Sequence, residues 1–332
     1  MKKRFIPIML ALLLAFACAG ANALAEGGAR VCAVTLKTDG TVGLNFYLAA
    51  DSALLADAGA YITLNGERQS IKNAVSVQQS DGSFLRRFSV GFCPKDYQDN
   101  ITLQAFNGSG EPVPVENRNG ELQESGYSIC PGDVMTDIIS SSSANADMKA
   151  FAAALQAYCA YAKEYFSTGA VADGTESGSA FQTYERQLSG EVPGIAFAGN
   201  TLVLSSGVTL RCIFQLTGEA IAEAYTFTAD GTEVTPGTNG NSFVTEVSGI
   251  PMTELGEEHV FTVADENGST LTVTASPLSY AHESCGQAEE DAGLAALVQE
   301  MYSFGETAKS CLTALGTDSD YTGGNSVDED SL

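Results

Sequence analysis

The chain contains no tryptophan and only two histidines, His259 and His282. The first absence removes the largest stacking ring and weakens a sugar-platform reading. The second leaves few groups for base catalysis or for imidazole ligation of a metal. Positive charge is also scarce: 16 Lys and Arg stand against 41 Asp and Glu, a net charge of −25. Such a surface repels phosphate backbones and anionic membranes, which argues against a nucleic-acid partner. No Gly-x-Ser-x-Gly turn, His-Glu-x-x-His helix, Cys-x-x-Cys pair or phosphate-binding glycine loop occurs. Beyond the N-terminus no segment is apolar enough to span a bilayer.

The N-terminus reads as a secretory leader. Lys2, Lys3 and Arg4 precede an apolar run from Ile6 to Cys18, and small-x-small cleavage sites follow at Ala21-Asn22-Ala23 and Ala23-Leu24-Ala25. A positive start, a short apolar stretch and small residues at the cut are what a signal peptidase substrate needs. Cleavage after Ala23 or Ala25 is expected, with residues 1–25 removed in the second case. Cys18 offers a second reading, as a lipid-anchored cysteine. Loss of three bases and no acid moves the net charge from −25 to −28. The expected product is secreted, with no transmembrane segment after cleavage.

Seven cysteines remain, and export permits disulfides. An odd count leaves one over. Cys212 is expected to be that one, because it shares a strand face with Leu210 and Phe214. Cys32–Cys93, Cys130–Cys159 and Cys285–Cys311 are possible local pairs, which spacing alone does not establish.

Regular short strands separated by Asp39-Gly40, Asn65-Gly66, Asp81-Gly82 and Asn107-Gly108 occupy the first half. Asn-Gly and Asp-Gly tolerate positive φ and close antiparallel hairpins, so a β-sandwich is expected. The period then changes. Pro131–Ile139 suits a short helix with proline in its first turn, and a second helix, capped by Asn145 or Asp147, runs to Phe166. The same plan recurs. Met148, Phe151, Leu155, Tyr158, Ala162 and Phe166 match Leu294, Leu297, Met301, Phe304, Ala308 and Leu312 at constant offset. Strand anchors follow in order: Val42 with Val208, Ala60-Tyr61 with Ala224-Tyr225, Ser83-Phe84 with Ser242-Phe243, Asn107-Gly108 with Asn267-Gly268. A region around Tyr280–Ala288 corresponds to Pro131–Ile139.

The fold class is therefore α+β and β-dominated: two antiparallel β-sandwich-like modules, each followed by a C-terminal helical hairpin. Repeat 1 spans 30–168 and repeat 2 spans 195–315. A flexible linker, 169–194, rich in Gly, Ser, Thr and Ala, joins them. An acidic tail, 316–332, is expected to be disordered.

The helix ends read Tyr158-Cys159-Ala160-Tyr161-Ala162-Lys163-Glu164-Tyr165-Phe166 and Phe304-Gly305-Glu306-Thr307-Ala308-Lys309-Ser310-Cys311-Leu312. With the strand patterns upstream, this resembles tandem β-rich, helical-hairpin modules in uncharacterised exported proteins of Gram-positive gut bacteria. Cys159 stands where that group carries glycine. The resemblance implies location and architecture; it implies no activity and no functional residue.

Individual groups carry weak chemical signals. His282 and Cys285, three apart on a helix, could meet, but no orienting group or oxyanion hole accompanies them. His259 opens a strand after Glu257-Glu258. Asp318, Asp320, Thr322, Ser326 and Glu329, with Gly323, approach an EF-type calcium loop, although Asn325 replaces its locking apolar residue. Tyr158 and Tyr165 lie on the apolar side of their helix, whereas Tyr161 is expected to be exposed. Asn107 and Asn267 sit in glycosylation-like triplets better read as hairpin turns. No catalytic, metal or cofactor residue is assigned. The expected function is a non-catalytic extracellular module whose partner is a cell-surface or extracellular protein or a glycan. Alternatives are a secreted hydrolase using carboxylates or Cys285, and a structural spacer of the cell envelope.

Overall fold

A computed structural model describes Leu24 and residues 27–79, 82–169, 184–217, 224–286 and 291–314. The leader, the acidic tail with its calcium-like loop, and residues 170–183 of the expected linker lie outside the described residues. The architecture is β-dominated, with several antiparallel sheets and five helices among the described residues. No helix among them is long and apolar enough to cross a membrane.

The chain divides into two compact units. The first takes the chain up to Lys37, Val42–Phe92 and Asp96–Gln156. The second takes Thr38–Thr41, Cys93–Lys95 and the chain from Ala157 onward. The division thus falls inside a long helix rather than after it.

In the first unit β1 (Ala29–Leu36), β2 (Gly43–Ala50), β5 (Val75–Gln78), β6 (Phe84–Gly91), β9 (Val115–Glu116) and β10 (Leu122–Gln123) form one sheet, in the order β10-β9-β1-β2-β6-β5. A second sheet runs β11-β7-β3-β4, from β3 (Tyr61–Leu64), β4 (Glu67–Ser70), β7 (Ile101–Phe106) and β11 (Tyr127–Ile129), with β8 (Pro112–Val113) also on β7. Every pairing is antiparallel except β1 with β9. Leu44, Phe46 and Leu48 alternate along β2 and are buried, as period-two patterning requires. The β3–β4 turn is Asn65-Gly66 with φ of 50° and 86°, the two-residue turn that matches strand twist.

Three helices complete this part of the chain: α1 (Ser52–Ala56), α2 (Pro131–Ser140) and α3 (Ala146–Thr168). Pro131 opens α2, where its missing N–H costs nothing, and α2 packs on β1. Asn145 caps α3, its Oδ1 accepting from the Met148 N–H at 2.8 Å.

The second unit has one sheet in the order β12-β20-β19-β15-β16. Its strands are β12 (Gln187–Gly190), β15 (Tyr225–Ala229), β16 (Thr232–Val234), β19 (His259–Asp265) and β20 (Thr270–Ala275). The other sheet runs β13-β14-β18-β17, from β13 (Ile195–Leu204), β14 (Val208–Leu216), β17 (Gly237–Asn239) and β18 (Ser242–Ile250). Then come α4 (Pro277–Gly286) and α5 (Ala292–Ala314), which pack on each other. Gly305 of α5 lies so close to the Met252 carbonyl that a Cβ would clash with its oxygen. The ring of Tyr158, from the part of α3 in this unit, stacks on Phe304 at 5.8 Å.

Several expectations need correction. Gln187–Gly190, read as linker, is a strand, because its backbone completes an open edge at β20. The short helix of the second half starts at Pro277, not near Tyr280, again with proline in the first turn. None of the three cysteine pairs is bridged. Instead the Cys32 thiol donates to Arg30 O, Cys93 to Leu204 O and Cys130 to Tyr97 O. Cys212 is fully buried on β14, and burial pushes its thiol up to about 12. Tyr161 is half-buried rather than exposed.

Candidate functional site

The first unit contains a cleft of about 490 Å³, within the range of small-ligand and peptide sites. Its walls come from segments far apart in sequence. One wall is β1, Val31 to Thr35. A second is the β9–β10 turn, Asn117 to Asn119. The floor and far side are Tyr127 and Ile129 of β11 with Val134, Asp137 and Ile138 of α2, and Ser141, Ser143 and Ala144 close the end.

The β9–β10 turn is rigidly specified. Asn117 Oδ1 accepts from the N–H groups of Asn119 at 2.9 Å and Glu121 at 3.0 Å, while its Nδ2 donates to Glu121 Oε2 at 2.7 Å. Gly120 takes φ of +80°, which a side chain would resist. The same device occurs at Asn107 and at Asp265, each with glycine three residues on at positive φ. The triplets at Asn107 and Asn267 therefore lie in hairpin turns, and in the second the acceptor is Asp265.

A buried ion pair fixes this turn to β1. Arg30 donates to Glu116 Oε2 from Nε at 2.8 Å and from a terminal nitrogen at 2.5 Å, and both residues are under one-tenth exposed. A buried pair of this kind is a poor source of net stability, because desolvation offsets attraction, but it fixes register strictly. It sets where β9 stops, and so where the cleft begins.

Burial raises the Tyr127 phenol above its usual value; Asp137 adds to the shift and Arg118 opposes it. The phenol is therefore neutral at physiological pH, able to donate and to accept. Among apolar side chains the lining also carries one guanidinium (Arg118), one carboxylate (Asp137), two amides (Asn117 and Asn119) and the hydroxyls of Thr35, Ser141 and Ser143. Among the described residues no group of three or more His, Cys, Asp or Glu is arranged to hold a metal ion.

The groups singled out in the sequence lie elsewhere. His282 and Cys285 are half-buried on α4. Burial raises the Cys285 thiol, and its Sγ lies 4.0 Å from Ala295 O. His259 Nδ1 lies 2.8 Å from Asp230 Oδ2, and its Nε2 is buried with no partner among the described residues. Asp318, Asp320, Thr322, Ser326 and Glu329 lie outside the described residues. Tyr158 is fully buried, and Tyr165 donates to Asp291 Oδ2 at 2.9 Å.

Arg118, Tyr127 and Asp137 were not legible as a site, because they meet only through the strand order. One signal was available: Asn117-x-x-Gly120-Glu121 repeats the spacing of Asn107-x-x-Gly110-Glu111, which marks an added hairpin. Comparison with protein-family models and with curated proteins returns no match.

Proposed function

We propose that the chain is exported and acts as a non-catalytic binding protein, holding an extracellular or cell-surface partner in the first-unit cleft. The observation that carries this reading is the cleft's composition: an apolar floor, mixed polar groups at its sides, and a buried Arg30–Glu116 pair fixing one wall. Preorganised walls of this kind favour binding, because little ordering is left for the partner to impose. The leader-like sequence from Lys2 to Ala25 supports export.

We also read each unit as a sandwich-like module with a C-terminal helical pair, the two arising by duplication and akin to the gut-bacterial modules their helix ends resemble. Support comes from strand order. The sequence β1-β2-β6-β5 parallels β13-β14-β18-β17, and β11-β7-β3-β4 parallels β20-β19-β15-β16.

The test is capture of bacterial envelope, mucin and host extracellular fractions by immobilised Glu26–Leu332, with calcium and with chelator. Saturable capture of one component, weakened by Arg118→Ala, is expected. Loss in chelator would bring the Asp318–Glu329 loop into the function. Absence of capture in both conditions would sink the binding reading.

A further inference from the structure

The cleft is lined by five consecutive residues of β1, Val31 to Thr35. Successive residues of a strand point to opposite faces, and here the alternation is interrupted once, at Cys32, where β1 bulges against β2; Ala33 to Leu36 then pair in regular register. A wall made of five in a row is therefore the strand's edge, and what it offers is backbone.

Which backbone groups point outward follows from the ladder. Lys37 N–H donates to Gly43 O at 2.9 Å, so Lys37 and Gly43 form a hydrogen-bonded pair. In an antiparallel ladder bonded and non-bonded pairs alternate, and residues of non-bonded pairs turn both N–H and C=O away from the partner. Leu36↔Leu44 is then non-bonded, Thr35↔Asn45 bonded and Val34↔Phe46 non-bonded. Val34 thus directs its N–H and C=O away from β2, into the cleft. Among the described residues no strand pairs with it there: β9 meets β1 only at Ala29 and Arg30, because the chain turns away at Asn117. The upstream end of the same edge already takes extended chain, since Ala29 N–H donates to Pro114 O at 2.9 Å.

We infer that the cleft binds an extended polypeptide segment, added as a strand to the edge of β1 with its backbone on Val34. This rests on the binding reading above and narrows its partner to protein. The five residues offer roughly 16 Å of edge. In strand addition main-chain bonds supply affinity and alternate side-chain pockets supply specificity. Here one set of side chains meets Val134 and Ile138, and Arg118 and Asp137 provide one charge of each sign. A glycan is disfavoured, because Tyr127 is the single aromatic ring in the lining and is already packed edge-to-face against Phe46 at 6.4 Å.

The experiment is selection of a displayed random heptapeptide library on Glu26–Leu332, in parallel with Val34→Pro and Val34→Ala. Proline removes the outward N–H without touching a β1–β2 ladder bond, and edge positions tolerate it. Alanine keeps the N–H and drops the side chain. The expected result is enrichment on the wild type, affinity lowered about tenfold or more by Val34→Pro, and binding retained by Val34→Ala. Backbone N-methylation of the best peptide should abolish binding at alternate positions only. Should Val34→Pro fail to fold, as read by circular dichroism, the methylation pattern decides alone. Peptides indifferent to Val34→Pro, or a methylation profile without alternation, would overturn strand addition. No enrichment at all would also overturn it. The binding reading then survives if envelope or mucin capture persists, and falls with it if that capture is absent too.

Discussion

In the first unit the chain travels from β7 to β11 through residues 107–126, which include β8, β9 and β10; in the second, β19 reaches β20 through the turn at Glu266–Ser269. The strands on either side occur in the same order in both units. The difference lies in how open edges are covered. An uncovered edge invites unwanted pairing, so folded chains protect it. The second unit lays β12 along β20 and sets α4 against β13. The first unit likewise sets α2 against β1, adds a two-residue strand at one end of that strand, and leaves residues 31–35 lining a cleft. Among the described residues the difference is therefore the β9–β10 hairpin, which pairs with β1 at Ala29 and Arg30 and turns away at Asn117.

That contrast can be broken. The largest effect is expected at Glu116→Ala, which takes from the buried Arg30 guanidinium the carboxylate that accepts two of its N–H groups, at a cost of up to about 3–5 kcal/mol. Hydrogen exchange followed segment by segment should show protection lost across β9, β10 and the start of β1, but not across β19–β20. Replacing both partners with apolar residues (Arg30→Met with Glu116→Leu) should restore most of it. Equal loss in both units would mean that the hairpin is not a separate addition.

A second contrast is between α3 and α5. Each has 23 residues and follows a ten-residue helix that begins with proline. Their caps are equivalent, Asn145 Oδ1 to Met148 N–H and Asp291 Oδ1 to Leu294 N–H, both at 2.8 Å. Cys159 of α3 and Gly305 of α5 stand at the same offset but differ in environment. Gly305→Ala drives a methyl into the Met252 carbonyl and should cost about 1–3 kcal/mol in a urea melt. Cys159→Ala trims a buried sulfur and should cost about 1 kcal/mol. If Gly305→Ala proves neutral, the close approach of α5 to Met252 is not required.

Smaller effects sharpen the helix comparison. Asn145→Ala and Asp291→Ala should each cost about 1 kcal/mol through the lost cap. Asp291→Ala should cost more, because it also strands the Tyr165 hydroxyl; identical melts for the two would contradict this. The least effect is in pH dependence. Burial, and then the hydrogen bond to Asp291, raise Tyr165 from 10.0 to about 12. A raised value favours the protonated phenol, so this contribution is complete below pH 10 and is lost as pH rises through about 12. Burial raises Tyr127, Tyr158 and Tyr302 as well, so absorbance titration of tyrosinate should show several late components, of which Tyr165→Phe removes the one near 12.

What the sequence revealed follows from length and period. The long helices were legible from their 3.6-residue spacing, and Asn65-Gly66 from its turn chemistry. Strands such as Glu67–Ser70 and Gln187–Gly190 were not, because they lie at sheet edges with little buried alternation. Two anchors were misaligned for a related reason. Phe84 is 59% exposed and Phe243 is 3% exposed, so the matched Ser-Phe pairs do not occupy equivalent places. Tyr61 and the Ile62 beside it face opposite ways, whereas Tyr225 shares its face with buried Phe227. Identity of letters misled where the parity of burial would not. The cleft was invisible because its walls are brought together by a parallel β1–β9 pairing that no local pattern encodes.

The recurring hairpin device also bears on chemical ageing. Asn107-Gly108 is a dipeptide of the kind that loses its amide on storage, with the glycine nitrogen as attacking group. Here that nitrogen is tied to Asp57 Oδ2 at 2.6 Å, which holds it back from the amide carbon. Where hydrolysis does convert Asn107 to aspartate, the same two backbone N–H groups still find an acceptor, as they do at Asp265. The Asn107 Nδ2 bond to Glu111 Oε2 at 3.0 Å is lost in that product and two carboxylates face each other, so an aged preparation should drift in charge and loosen at this turn.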